Sequence, residues 1–145
     1  MFETQFRVRY YETDAMGIVH HSNYLRWFEH ARTEYLRAIG TPYRALEESG
    51  LAAVVVEAHC KYIQPARYDD LVSVRVRMGA YTAVRVELVY EVTCGNVTLC
   101  TGSTRHAFLR DGRPVSPARS LPDLHKVFEN AQRAEQTEQG ESDHV

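Results

Sequence analysis

The feature that most constrains the fold is a long helical pattern with an aromatic apolar face. Apolar residues recur there at three- and four-residue spacing, namely at Tyr24, Trp27, Phe28, Ala31, Tyr35, Ala38 and Ile39. Either Ser22 or Asn23 can cap the start of the helix, and Gly40 followed by Pro42 ends it. A face this apolar must be buried, so the helix needs a broad partner surface.

Five other segments supply that surface. They are rich in β-branched and aromatic residues that often alternate with polar ones, and they span residues 3–11, 52–64, 71–80, 83–94 and 97–110. Alternation with a period of two predicts antiparallel strands with one buried and one solvated face. Shorter helical patterns occupy residues 43–49 and 121–134. These patterns together predict an α+β protein in which one curved antiparallel sheet packs against one long helix.

Length and composition narrow the class of protein. The 145 residues fit one domain, predicted at residues 1–134, and the polar segment 135–145 is predicted to be a disordered tail. The formal net charge is −2 and basic residues are dispersed, which disfavours nucleic acid or an anionic membrane as the main partner. No long apolar run or signal peptide is visible, so we expect a soluble cytoplasmic protein without membrane insertion. The three cysteines form no CxxC pair and are predicted to be buried, reduced thiols.

The loop before the long helix carries the residues suited to chemistry. It places Asp14, the turn glycine Gly17 and the histidines His20 and His21 directly before a helix start. Backbone N–H groups at a helix start lack partners and favour negative charge, which suits an oxyanion that forms during a reaction. A carboxylate beside such donors is suited to act as a base or nucleophile in acyl transfer. The sequence has no P-loop, no GxSxG elbow and no HExxH helix, which argues against nucleotide, serine-triad and zinc chemistry of those types.

The segment YYETDAMGIVHHSNY, residues 10–24, resembles the signature of the hotdog-fold acyl-CoA thioesterases. It is most similar to the 4-hydroxybenzoyl-CoA thioesterase family and its Tol-Pal-associated, YbgC-type branch. The shared pattern is D-x-x-G-hydrophobic-Val-x-x-[small]-Asn-Tyr followed by an aromatic helix. The order of strands and the segment YIQPARYDD, residues 62–70, also match, so the likeness covers residues 4–130. The resemblance implies a hotdog fold, in which a curved sheet wraps one long central helix.

The resemblance also implies roles for single residues. Asp14 falls on the catalytic carboxylate, which either attacks the thioester carbon or activates a water molecule. His21 falls on a histidine of the YbgC-type branch, and its backbone N–H falls on the donor that polarises the thioester. Tyr10 falls on a tyrosine that helps shape the site. The substrate-binding residues predicted around them are Gly17, Ile18, Val19 and Asn23.

The implied substrate is an acyl-CoA or acyl-carrier-protein thioester with a short to medium, or aromatic, acyl group. No cofactor and no metal are expected, since CoA is part of the substrate. The implied assembly is a homodimer or homotetramer with active sites at the subunit interface. One departure from the family is the turn before its fourth strand, where Tyr81 and Thr82 replace a basic cluster that binds CoA. Possible substitutes are Arg105, Arg110 and Arg113.

Two other functions are open at this point. A hotdog dehydratase or hydratase usually relies on a histidine-led site, so a loop led by Asp14 argues against it. A non-catalytic protein that binds acyl-CoA or acyl carrier protein would be favoured by loss of that carboxylate. Two alternative sites are also weaker: Glu29 is a second acidic candidate on the helix, and a metal site from Asp14, His20 and His21 lacks a supporting register.

Overall fold

The order of elements confirms one early strand, one long helix and four further strands. The computed structural model describes residues 1–142. Its strands are β1 (Phe2–Arg7), β2 (Leu51–Tyr62), β3 (Leu71–Tyr81), β4 (Arg85–Cys94), β5 (Val97–Arg110) and β6 (Arg113–Pro114). Its helices are α1 (Ser22–Ala38), α2 (Tyr43–Glu48), α3 (Pro117–Ser120) and α4 (Pro122–Ser142), and a 3-10 turn spans Tyr10–Glu12. The two-residue strand β6 and the short helix α3 were not predicted.

All strands form one antiparallel sheet in the order β1-β3-β4-β5-β2, with β6 paired to β5. Alternate residues of each central strand are buried, as the period of two requires. On the buried face Phe28 of α1 stacks on Tyr90, with ring centroids 4.3 Å apart, and Phe128 of α4 packs against Phe108. Helices α1 and α4 therefore cover the same face of the sheet.

Close approach of α1 to the sheet depends on Gly102 in β5. A Cβ atom at this position would lie 2.6 Å from Cε2 of Phe28 and would also collide with the carbonyl oxygen of His59. Glycine at 102 thus leaves the space that the Phe28 ring fills.

The predicted end of the first strand and the predicted capping of α1 are wrong. The first strand ends at Arg7 and the chain then turns at Tyr10–Glu12, so the strand does not continue to residue 11. The helix begins at Ser22, and no side-chain cap is formed at its start. The two predicted caps make other contacts: the Ser22 hydroxyl hydrogen-bonds to Nδ1 of His20, and the Asn23 amide donates to the Glu12 carbonyl oxygen at 2.8 Å.

The prediction of a disordered tail from residue 135 is wrong as far as Ser142. Helix α4 continues to that residue, and Glu135 is buried at 8% exposure. The amino group of Met1 lies 3.7 Å from the Glu135 carboxylate and also pairs with Glu138. Five of the eight residues from 135 to 142 are Glu or Gln, which favour helix, and charge pairing adds to the contacts of this segment with the domain. Residues 143–145 lie outside the described residues.

The three cysteines are free thiols, but the prediction that all are buried is wrong: Cys100 is buried, whereas Cys60 and Cys94 are partly exposed. Burial raises the pKa of the Cys60 thiol and raises that of Cys100 to about 12. Both thiols therefore stay protonated at neutral pH and are poor nucleophiles.

Within residues 1–142, no helix is both long enough and apolar enough to cross a bilayer.

A chain of hydrogen bonds crosses the buried face beneath α1. Arg32 donates to the Tyr90 hydroxyl at 3.2 Å, Tyr90 bonds to the Thr104 hydroxyl at 2.6 Å, and Thr104 bonds to Nε2 of His106 at 2.8 Å. Burial, and secondly the charge of Arg32, lower the pKa of His106 to about 4 from an ordinary 6.5. His106 is therefore neutral in the folded protein at pH 7.

The lowered pKa of His106 predicts a loss of stability in acid. The unfolded chain binds a proton at His106 near pH 6.5 while the folded protein resists it down to about pH 4, so unfolding is favoured as pH falls through this window. Between pH 7 and pH 5 this group alone should lower the free energy of unfolding by about 2 kcal/mol. Urea titrations of wild type and His106→Gln at both pH values measure it. An equal pH dependence in the two proteins would contradict the assignment.

Candidate active site

The loop between the 3-10 turn and α1 folds into a small hairpin with Asp14 at its turn. Thr13 pairs with Val19, and the Asp14 N–H donates to the Ile18 carbonyl oxygen at 2.9 Å. The Gly17 N–H donates to the Asp14 carbonyl oxygen at 2.9 Å, with φ of +77° at Gly17. This left-handed conformation suits glycine, which has no Cβ to clash. The turn therefore explains why a glycine follows Asp14 at this spacing.

One oxygen of the Asp14 carboxylate is hydrogen-bonded within the loop and the other is not. Its Oδ1 accepts the Met16 N–H at 2.9 Å, which fixes the orientation of the carboxylate. Its Oδ2 makes no hydrogen bond to any residue from 1 to 142, and the side chain is half-buried. One carboxylate oxygen is thus left to act on a bound molecule.

Glu12 anchors the hairpin to α1. Its side chain is buried, and its Oε1 accepts the Arg9 N–H at 2.7 Å while its Oε2 accepts the indole N–H of Trp27 at 2.7 Å. Its carbonyl oxygen accepts the Asn23 amide at 2.8 Å and the His20 N–H at 2.9 Å. The two bonds from Trp27 and Asn23 therefore fix the hairpin against the first turns of the helix.

The start of α1 offers one unused donor. The N–H groups of Asn23 and Tyr24 donate to the carbonyl oxygens of His20 and His21 at 3.0 and 3.3 Å. The His21 N–H itself donates to no residue in the described part of the chain. It lies at the positive end of the helix dipole, where an anion or oxyanion is stabilised.

Asp14 and His21 both line one pocket of about 350 Å³. It is lined by Asp14, Met16, Ile18, Val19, His21, Tyr24, Tyr62, Ile63, Gln64 and Pro65. The Tyr62 hydroxyl donates to the His21 carbonyl oxygen at 3.2 Å and so ties the end of β2 to the helix start. Burial, with a smaller effect of Cys60, raises the pKa of Tyr62 to about 12, so the hydroxyl keeps its proton at neutral pH.

The structure brings four of the seven predicted site residues to this pocket, namely Asp14, Ile18, Val19 and His21. Gly17 forms the turn beside it. Asn23 is buried and holds Glu12, and Tyr10 is 77% exposed with its ring against Tyr68. Neither Tyr10 nor Asn23 lines the pocket in this chain, and the catalytic and substrate-binding roles assigned from sequence stay predictions.

Sequence reasoning missed two contributions to the site. Glu12 was not among the predicted site residues, although its buried bond to Trp27 gives it a structural role. The pocket wall at Tyr62 could have been found, because the matching segment at residues 62–70 begins there.

The other candidates contribute less to the pocket. Arg105, one proposed CoA contact, pairs with Glu57 and Glu87, each at 3.2 Å. Glu29 lies outside the pocket lining. Among residues 1–142, no three His, Cys, Asp or Glu side chains are grouped to hold a metal ion.

Comparison with known proteins finds a family match, related sequences and a similar solved structure, all of them esterases or thioesterases. Residues 8–128 match the thioesterase-like superfamily. A putative esterase of Aquifex aeolicus is 38% identical over 120 residues, covering 83% of this chain and 94% of the relative. The acyl-CoA thioester hydrolase YbgC of Escherichia coli O6:H1 is 37% identical over 122 residues, covering 84% of this chain and 90% of the relative. The DHNA-CoA thioesterase from Staphylococcus aureus superposes with a TM-score of 0.88 at 29% identity, covering 93% of each chain.

The chain belongs to the thioesterase-like superfamily. It is a thioester hydrolase, and the hotdog fold implied by its sequence is confirmed.

The Glu12 anchor predicts the effect of Trp27→Phe. Loss of the indole N–H leaves Oε2 of a buried carboxylate without a donor, which should lower the free energy of unfolding by about 1–3 kcal/mol. Urea unfolding of a double-mutant cycle with Glu12→Gln measures the coupling. Trp27→Phe should cost less in the Glu12→Gln background, and equal costs in both backgrounds would refute the anchor.

Proposed function

We propose that the protein hydrolyses acyl-CoA thioesters in the Asp14 pocket. The observation that carries this proposal is that Asp14, with one carboxylate oxygen unbonded in residues 1–142, and His21, whose N–H is unused there, line the same pocket. The carboxylate supplies the nucleophile or base, and the His21 N–H stabilises the oxygen of the thioester as it gains negative charge. The relatives named as acyl-CoA thioesterases support the choice of substrate.

Two routes fit this arrangement. In one, Asp14 attacks the thioester carbon, the C–S bond breaks, CoA leaves as thiolate, and water then cleaves the mixed anhydride. In the other, Asp14 takes a proton from a water molecule that attacks the same carbon, and the collapse of the tetrahedral intermediate expels the thiolate. Both routes yield free acid and CoA, and both place negative charge on the carbonyl oxygen near the His21 N–H.

The pocket lining favours an apolar acyl group near the thioester. Met16, Ile18 and Ile63 present aliphatic side chains, and Tyr24 and Pro65 add further apolar surface. We therefore propose short- to medium-chain acyl-CoA as the substrate class, with an aromatic acyl group as the second candidate.

Substitution of Asp14 tests the proposal directly. Asp14→Asn keeps the size and the Met16 contact but removes the base or nucleophile, so turnover should fall by at least about 100-fold. His21→Ala should cost less because its backbone N–H remains. Thiol release from acetyl-, hexanoyl-, palmitoyl- and benzoyl-CoA measures both variants.

A matched control is Asp111→Asn, which changes an exposed aspartate in a distant turn where a φ of +51° also suits asparagine. It should retain wild-type turnover. Near wild-type turnover by Asp14→Asn would overturn the role of Asp14. Saturable acyl-CoA binding by wild type without thiol release would instead favour a binding protein.

We also propose that two copies pair along strand β2. This strand lies at the edge of the sheet and carries three partly exposed valines, Val54, Val55 and Val56, at 39%, 45% and 42% exposure. An exposed apolar edge strand is a template for pairing with another strand. Tyr62 and Ile63, at the end of this edge, line the Asp14 pocket, so a second copy would complete its wall.

Light scattering after size exclusion tests this assembly. Wild type should have at least twice the monomer mass, and a variant with Val54→Lys and Val56→Lys should be a monomer because charges on the edge oppose pairing. Val97→Lys, at an exposed valine at the start of β5, is the control and should keep the wild-type mass. A monomeric wild type at micromolar concentration would contradict the proposal.

A further inference from the structure

A second cavity of about 270 Å³ lies between the middle of α1 and the sheet. Its wall includes Arg32, Thr33, Leu88, His106, Phe108 and Phe128. None of the residues that line it also lines the Asp14 pocket. It is therefore a separate space within the chain.

The cavity contains a largely buried cation with little compensation. The Arg32 side chain is 16% exposed, and its ion pair with Glu29 is long, at 4.0 Å, and involves a carboxylate that is 73% exposed. Such exposed pairs contribute little. A guanidinium withdrawn from water without a close anion is unfavourable, and a carboxylate that reached it would form strong, charge-assisted hydrogen bonds.

The rest of the polar wall carries one negative group, Glu29, whose side chain is 73% exposed. Tyr90 accepts a hydrogen bond from Arg32, and His106 stays uncharged at pH 7 because burial and the Arg32 charge lower its pKa to about 4. Most of the remaining lining is apolar and includes Leu88, Phe108 and Phe128. The cavity thus places one largely buried positive group beside a mainly apolar wall.

We infer that this cavity binds an aliphatic carboxylate, with the carboxylate on Arg32 and the alkyl chain against the apolar wall. Its volume is that of about nine water molecules in the liquid, which suits a carboxylate with a short chain.

The position of strand β2 indicates where the bound carboxylate comes from. This step rests on the proposed function and on the proposed pairing of two copies. Ala53 and Val55, near the start of β2, border the cavity, whereas Tyr62 and Ile63, at its end, border the Asp14 pocket. In an antiparallel pairing the start of one strand lies beside the end of the other. The cavity of one copy would therefore adjoin the Asp14 pocket of its partner and receive the far carboxylate of an acyl group. A free dicarboxylate is the other source of the same chemistry.

The test compares adipyl-CoA with hexanoyl-CoA, which have the same six-carbon chain with and without a terminal carboxylate. Wild type should favour adipyl-CoA in kcat/KM by about 10-fold or more, as expected for a charged hydrogen bond. Arg32→Gln should abolish this preference while hexanoyl-CoA turnover remains, and Arg32→Lys should keep part of it. Calorimetry with free adipate, on wild type and both variants, measures binding without catalysis.

Each result decides the inference. A preference for adipyl-CoA, or adipate binding that Arg32→Gln removes, supports it, and adipate binding without the preference identifies a free carboxylate as the source. Turnover of hexanoyl-CoA with neither preference nor Arg32-dependent adipate binding overturns it and leaves the proposed function intact. If neither thioester is hydrolysed, the proposed function is overturned. Adipate binding to wild type and to Arg32→Gln then still tests whether the cavity binds a carboxylate. If Arg32→Gln fails to fold, the wild-type preference and its reduction in Arg32→Lys decide.

Discussion

The hydrogen bond between the buried Glu12 carboxylate and the Trp27 indole is the contact on which the site depends. Trp27 belongs to the aromatic face that packs α1 on the sheet, so this bond ties the hairpin to the hydrophobic core. Asp14 lies two residues beyond Glu12, and the His21 N–H lies six residues before Trp27. One anchor therefore sets the position of the carboxylate relative to the helix start. Catalytic groups need such a fixed geometry because small displacements cost large factors in rate.

The two proposed sites lie at different points along α1. The first turn of the helix faces the Asp14 pocket, while Arg32, more than two turns later, faces the second cavity. Phe28 lies between them in sequence and packs flat on Tyr90, which keeps the middle of the helix close to the sheet. A single chain thus holds two unconnected spaces, and the free edge of β2 borders both. Pairing along that edge is what would make them parts of one substrate site.

Periodicity predicted α1, α2 and strands β2 to β5 because burial of one face dominates their formation. It could not predict the turn at Glu12, since the burial of that carboxylate depends on an indole fifteen residues away. It placed Asn23 as a helix cap because short polar residues usually cap, whereas here the side chain donates to the Glu12 carbonyl. It missed the continuation of α4 because Glu135 is held by the Met1 amino group at the other end of the chain. The motif located Asp14 and His21, but the cavity at Arg32 depends on contacts between strands that no local pattern reports.

The most direct test of the central claim is a crystal structure of Asp14→Asn with hexanoyl-CoA bound. The thioester carbon should lie within van der Waals contact of the residue 14 side chain. The thioester oxygen should accept a hydrogen bond from the His21 N–H, at about 2.7–3.1 Å. A thioester that binds with its carbonyl away from the start of α1, or in the cavity beside Arg32, would contradict the roles proposed for Asp14 and His21.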